Sequence, residues 1–401
     1  MDTQQTNPAR ADLSQPGSGS WSAVTAVGAG CLTLVISEFL PIGLLPSIAT
    51  AFGVSDGTGG LMVTVPGLVA AFAAPLITLA AARVDRRRLL WMLTGVLFVA
   101  NLGAALAPNF PIMLAARLLV GIGSGGFWSV GVSVAPRLVG PRAVAKATAL
   151  ITSGVTIGAV VSLPLGPIVN ELWGWRAAFL VPAGLALVVM ATQLATLPGM
   201  PARGPVTLRS FSKIFDNVHA KAGLVTSALV FFGHFAAYTY LVPYLRDLAH
   251  TPQSWVTPLL LIFGLTGIAG NFATGMIADR GVRATTTAAI VLLAVSVALL
   301  PLLSHSRQWT VVLVALWGFA WGAIPVVLQL WMLDSLDETA EGGFALFVST
   351  TQIGLAAGSL LGGMVVDRAG LAPDLVAAAA VTVLSVVGLW AVSPLPNRHP
   401  A

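Results

Sequence analysis

Residues 32–46 read LTLVISEFLPIGLLP. The run is apolar on every face of a helix, and it extends in both directions to fill roughly residues 22–48. A helix that is hydrophobic all round is either a buried core helix or a membrane span, and length decides between them. About 20 residues suffice to cross ~30 Å of hydrocarbon, so this stretch is a spanning helix, and it is too long for the core of a cleaved leader. It carries one carboxylate, Glu38, which reads as the only acidic side chain inside any spanning segment of the chain. Such a group costs roughly 2.5–3.5 kcal/mol on insertion scales, so it persists where it faces a polar cavity or a partner. A tie between two helices would account for it. A proton or ion pathway accounts for it better, as intramembrane ionisable groups usually mark one.

Composition generalises this reading. The 401 residues are 56% hydrophobic and 9% charged, with a mean hydropathy of +0.89. A soluble surface needs about 25% charged residues, so this chain belongs in a bilayer. Its apolar runs lack period-2 alternation, which selects helices over a barrel. The single Cys31 excludes a disulfide within the chain and reads as a packing residue. A net charge of +5 does not imply nucleic acid, because the basic residues sit in short loops on one side, as membrane orientation requires.

Apolar segments bounded by charge, Pro or Gly fall near 22–48, 58–82, 89–107, 112–134, 147–169 and 176–197. A second set falls near 221–245, 254–278, 285–304, 308–331, 343–366 and 371–393, which makes twelve. One face of the membrane receives Arg10, Arg83, Arg86–Arg88, Arg137, Arg142, Lys146, Arg203, Arg209, Lys213, Lys221, Arg280, Arg283 and Arg398. The other receives only Arg176, Arg246, Arg307 and Arg368. The bias places both termini in the cytoplasm, together with the acidic loop at 334–341. Asp85-Arg86 after the second segment recurs as Asp279-Arg280 after the eighth, and Trp175-Arg176 has a counterpart in Asp367-Arg368. The offsets of 194 and 192 residues point to a parallel duplication, hence two pseudo-symmetric six-helix bundles with a cavity between them. The domain reading is a disordered cytoplasmic tail at 1–20, bundles at 21–197 and 221–393, a cytoplasmic linker at 198–220 and a tail at 394–401. Within the linker Leu208, Phe211, Phe215 and Val218 share one face, which suits a helix lying on the membrane surface; a plain linker fits as well.

A second charge enters the membrane at Arg117, followed by Gly121, Gly123, Gly125 and Gly126. The glycines let another backbone come close. At 1.5 Å per residue, Glu38 lies ~15 Å and Arg117 ~8 Å below the outer surface, a gap an Arg side chain can bridge. The segments SEFLPIGLLP (37–46), RLLVGIGSGGFWSVGVS (117–133) and GHFAAYTYLVPYL (233–245) resemble the major facilitator superfamily. Within it they look closest to the drug/proton antiporters, and there to bacterial sugar and purine-ribonucleoside efflux transporters. The resemblance covers the chain from Trp21 onward.

It implies several roles. Glu38 would carry the proton and Arg117 would couple its charge to the cavity. Asp85, Arg86, Asp279, Arg280 and Arg283 would latch the cytoplasmic ends when the outer face is open, although Ala81 stands where the family's loop motif has Gly. Without the resemblance those charges are simple interfacial anchors. Gly154, Gly158, Pro164, Gly166 and Pro167 approximate the antiporter motif of the fifth helix, with Ile168, Val169 and Asn170 replacing its usual ending; ordinary helix packing also explains them. Helices 1, 4, 7 and 10 would line the cavity, which assigns Trp128, His234, Tyr238, Trp317 and Trp321 to substrate. Aromatic rings with polar tips suit a flat or amphipathic solute. His234 could equally be a second titrating group. Trp21, Trp91, Trp173, Trp255, Trp309 and Trp390 read as interfacial belt residues.

No G-x-x-x-x-G-K-[ST] phosphate loop, metal-ligand spacing or nucleophile elbow occurs. The expectation is a monomeric bacterial inner-membrane transporter rather than an enzyme, without cofactor or metal. It exports a small organic solute in exchange for protons. Proton symport, facilitated uptake and a non-transporting membrane sensor are the alternatives.

Overall fold

The computed structural model describes residues 20–81, 83–201, 217–277, 281–335 and 340–391. The tails, most of the linker, Asp279, Arg280 and residues 336–339 of the acidic loop lie outside them, as does the surface-helix reading. The described residues contain twelve helices long and apolar enough to cross a membrane. In chain order they are α1 (Trp21–Phe52), α2 (Leu61–Ala81), α3 (Arg86–Ala105), α4 (Phe110–Val130), α5 (Val144–Trp173) and α6 (Trp175–Thr196), then α7 (Val218–Tyr238), α8 (Gln253–Ile277), α9 (Val282–Leu299), α10 (Arg307–Ser335), α11 (Ala340–Ala369) and α12 (Leu371–Trp390). A four-residue helix, Asp56–Gly59, leads into α2.

Local chemistry sets the ends. Ser20 Oγ accepts from Ala23 N–H to start α1, and Gly53, at φ 65°, closes it by donating to Ala49 and Thr50 carbonyls. Asn109 caps α4 through Ile112 N–H, with Pro111 in the first turn. The 32 residues of α1 span ~48 Å at 1.5 Å each, so α1 overruns the hydrocarbon and ends beyond the expected residue 48.

Glycine contacts reveal the duplication. A Cβ on Gly154 of α5 would strike the Gly28 carbonyl of α1, and one on Gly354 of α11 would strike the Ala228 carbonyl of α7. Gly158 and Gly358 face Leu32 and Phe232 in the same way, so these helices repeat with an offset of 200 residues. Gly121 and Gly125 of α4 lie against Pro66 and Ala70 of α2, and Gly318 and Gly322 of α10 lie against Phe263 and Gly267 of α8, an offset of 197. The antiporter-type glycines thus seat α5 on α1. Gly43 of α1 abuts the Leu163 carbonyl, and Gly166 lies against Leu44.

The bundles meet mainly through α2 with α11 and α5 with α8. At one end they are clasped. The Asp367 carboxylate accepts from Ser55 Oγ at 2.7 Å and Gly57 N at 3.0 Å, and the Tyr240 hydroxyl, bonded within its own bundle to the Ser359 carbonyl at 2.7 Å, reaches across to the Gly57 carbonyl at 3.4 Å. That hydroxyl fills a notch that a side chain on Gly60 or Gly363 would occupy. Arg246 pairs with Asp56 at 2.8 Å, and Gln253 donates to Glu171 at 3.2 Å. At the opposite end Asp85 accepts from Arg87 and Met200 N–H within the first bundle, and Asn217 donates to the Ser335 carbonyl within the second.

One expectation fails. Glu38 is not the only acid in a span, because Asp374 lies in the first turn of α12 and is 1% exposed. A carboxylate there sits at the positive end of the helix, a place that favours negative charge, so it does not behave as a mid-span acid.

Candidate functional site

Three prolines prepare the centre of the molecule. Pro41 and Pro66 have no N–H, so the carbonyls four residues back, Ser37 in α1 and Met62 in α2, lose their helical partner. In a bilayer such groups must find another donor. Arg117 supplies both: its Nη1 donates to Ser37 O at 2.6 Å and its Nε to Met62 O at 2.8 Å, while Nη2 donates to Glu38 O at 2.8 Å. The guanidinium is fully buried. It reaches the level of Glu38, as the depth estimate anticipates, but binds main chain rather than the carboxylate. Pro75 frees the Ala71 carbonyl of α2 in the same manner, and Ser349 of α11 donates to it at 2.6 Å across the bundle interface.

The Glu38 side chain is 2% exposed and accepts three bonds from neutral donors. Ser124 Oγ lies 3.0 Å and Gln352 Nε2 2.9 Å from Oε1, and Trp128 Nε1 lies 3.4 Å from Oε2. Ser124 and Trp128 come from α4 of the same bundle, whereas Gln352 comes from α11 of the other. Among the described residues no Lys, Arg or His nitrogen lies within 4 Å of this carboxylate. Next to it, Asn101 of α3 donates to Ser37 Oγ at 2.8 Å. Sequence reasoning missed Gln352 and Ser124. Their signal was present, as polar side chains within otherwise apolar or Gly-rich helices. It named Trp128 for the substrate cavity, and the structure places its indole N–H on Glu38.

The second bundle presents rings at the matching position. His234 stacks on Trp321 (centroids 3.5 Å apart, 3° between planes) and on Tyr238 (4.7 Å, 27°). Trp317 Nε1 donates to His234 Nδ1 at 3.2 Å. An accepting Nδ1 assigns the proton of a neutral imidazole to Nε2. That nitrogen is buried without a partner among the described residues. Phe235 stacks on Phe39 of α1 at 5.8 Å, linking this cluster to the helix that carries Glu38. With the two offsets above, Glu38 corresponds to Tyr238 and Ser124 to Trp321, so a hydrogen-bonded carboxylate and hydroxyl in one bundle stand where the other has two aromatic residues. Tyr240 and Tyr244 of the same segment serve elsewhere: Tyr240 in the clasp, and Tyr244 on the Leu300 carbonyl at 3.0 Å.

Of the expected latch residues, Asp279 and Arg280 lie outside the described residues. Asp85 bonds within the first bundle, and Arg283 lies 4.1 Å over the Trp390 ring within the second. Trp21, Trp173, Trp255, Trp309 and Trp390 are exposed, in keeping with a lipid-facing belt.

The sequence model of the Major Facilitator Superfamily matches residues 27–343. The chain belongs to that superfamily. It is therefore a multi-pass membrane transporter and not an enzyme. The "Transcription regulatory protein OpdE" of Pseudomonas aeruginosa is 34% identical over 96% of this chain and 95% of its own. The "Purine ribonucleoside efflux pump NepI" of Escherichia coli K12 is 31% identical over 92% and 93%. Two solved structures share the fold at TM-score 0.71. The human organic anion transporter MFSD10 is 19% identical over 94% of this chain and all of its own. A bacterial homologue of the lysosomal transporter Spinster, inward-facing and unoccupied, is 15% identical over 94% and 96%.

Proposed function

We propose that this chain exports a small, flat polar solute of the nucleoside class across the bacterial inner membrane in exchange for protons. The observation that carries this is Glu38, a carboxylate buried at the bundle interface among neutral donors. A proton can join or leave it without breaking an ion pair, and a solute that displaces Gln352 or Ser124 changes the bonds that hold its charge. The facing rings of His234, Tyr238, Trp317 and Trp321 supply stacking surface, and His234 Nε2–H supplies a donor. The efflux activity named for the 31%-identical relative supports the direction and the substrate class. With the charge bias setting orientation, the clasped end is external, so the outer face is closed, as it is in the state from which an exporter loads. In this reading the Asp85 and Arg86 latch forms only after the clasp opens.

The regulatory name of the 34%-identical relative favours one second reading, in which the same rearrangement reports a solute instead of moving it. Proteoliposomes holding a pH dye decide. Adding inosine, adenosine or guanosine is expected to release protons in the wild type and not in Glu38→Gln. Absence of flux with bound nucleoside would favour the sensor, and flux unchanged in Glu38→Gln would refute the proton site.

A further inference from the structure

One face of α11 runs along the first bundle from the middle of the membrane to the clasped end. Ser349, Gln352, Ser359, Gly363 and Asp367 recur at helical spacing and so share that face. Ser349 bonds the Ala71 carbonyl at 2.6 Å, Gln352 bonds Glu38, Ser359 bonds the Gly60 carbonyl at 3.0 Å, and Asp367 bonds Ser55 and Gly57. Gly67 of α2 leaves room for this approach, since a Cβ there would lie 2.6 Å from Leu355. Most partners that the first bundle offers are carbonyls, a hydroxyl or an N–H. Glu38 alone among them can gain or lose a proton.

We infer that Gln352 is the positioning residue that converts the charge on Glu38 into closure of the outer face. This rests on the reading of Glu38 as the proton carrier. Gln352 Nε2 has two hydrogens, and they go to Glu38 Oε1 and to Ser124 Oγ at 3.1 Å. The Ser124 hydroxyl in turn donates to the same Oε1. Ser124 and Gln352 both donate to Oε1 and Trp128 donates to Oε2; with donors on both oxygens, the arrangement is matched to an ionised carboxylate. Bonds to a charged acceptor are roughly twice as strong as neutral ones, and a proton on Oε1 removes that advantage. The charged group facing Glu38 is Arg117 of α4, whose N–H groups hold carbonyls; Trp128 of α4 and the α11 residues touching Glu38 are neutral. The empty, ionised carrier is therefore held shut on the outside, and a proton or solute at Glu38 releases it. An exporter that obeys this rule does not leak protons when no solute is bound.

The test places spin labels on the exposed outer loops at Leu106→Cys and Leu302→Cys, 69% and 71% exposed, in a Cys31→Ala background. Distances between the loops are measured in proteoliposomes at pH 5.5 and 8.5. The open population is expected to rise on the order of fivefold on acidification, the equivalent of about 1 kcal/mol. Glu38→Gln and Gln352→Met should both abolish the pH difference. Ser349→Ala, on the same stripe, should open the outer face to the same extent at both pH values and keep the difference; Asp367→Asn controls for the other carboxylate of the stripe. A pH response lost in Glu38→Gln but intact in Gln352→Met overturns the inference and leaves the proton site standing. A response intact in Glu38→Gln overturns both. Identical behaviour of Gln352→Met and Ser349→Ala, or no response in the wild type, overturns the inference.

Discussion

Replacing Arg117 tests the central device of the fold, because its effect is tied to two prolines in other helices. Arg117→Met removes charged donors from the Ser37 and Met62 carbonyls, which Pro41 and Pro66 leave without helical partners. Each such bond contributes roughly 1.5–3 kcal/mol, so the loss is about 3–6 kcal/mol before crediting the relief of no longer burying a guanidinium. Adding Pro41→Ala and Pro66→Ala returns an N–H in register to each carbonyl, and two main-chain bonds at ~1 kcal/mol each recover about 2 kcal/mol. For 401 residues at ~2.1 cal/mol/K per residue, the unfolding entropy is ~0.8 kcal/mol/K, so the rescue is about 2–3 °C in Tm. Thermal unfolding of the detergent-purified wild type, single, double and triple variants, followed by tryptophan fluorescence, forms a mutant cycle. The proline replacements should stabilise the Arg117→Met background more than the wild type. Equal effects in both backgrounds would refute the claim that Arg117 serves those carbonyls.

Further outcomes follow from other contacts. His234→Ala and Trp321→Ala should each weaken nucleoside binding by about 5- to 150-fold, the equivalent of ~1–3 kcal/mol of stacking, as measured by scintillation proximity; unchanged affinity in both would remove the rings from the substrate site. Gly358→Leu should abolish folded protein on size exclusion, since its Cβ meets the Phe232 carbonyl, whereas Gly184→Ala, with open space around it, should leave the profile unchanged. Arg246→Gln breaks an ion pair whose Arg side chain is 44% exposed, so the outer face should stay closed, with a change below ~1 kcal/mol. Asp367→Ala, losing two bonds across the bundles, should open it measurably more in the spin-label assay.

The sequence by itself determined the twelve spans, because insertion into hydrocarbon depends on the summed hydropathy of a local run and not on its neighbours. It also singled out Glu38 and Arg117, since a charge in such a run stands out whatever surrounds it. The aromatic group on α7 and α10 was legible too, as His234 and Tyr238 are one turn apart and Trp317 and Trp321 likewise. The partners were not. Arg117 looked like a counter-ion for Glu38, yet it binds the carbonyls released by Pro41 and Pro66, a choice visible only once α1, α2 and α4 meet at one point. Gln352, 314 residues from Glu38 along the chain, became part of the site solely because Gly67 and Pro75 bring α2 against α11. A buried polar group takes whichever donor the packed helices deliver to it, and that delivery is set by the tertiary structure, not by any local stretch.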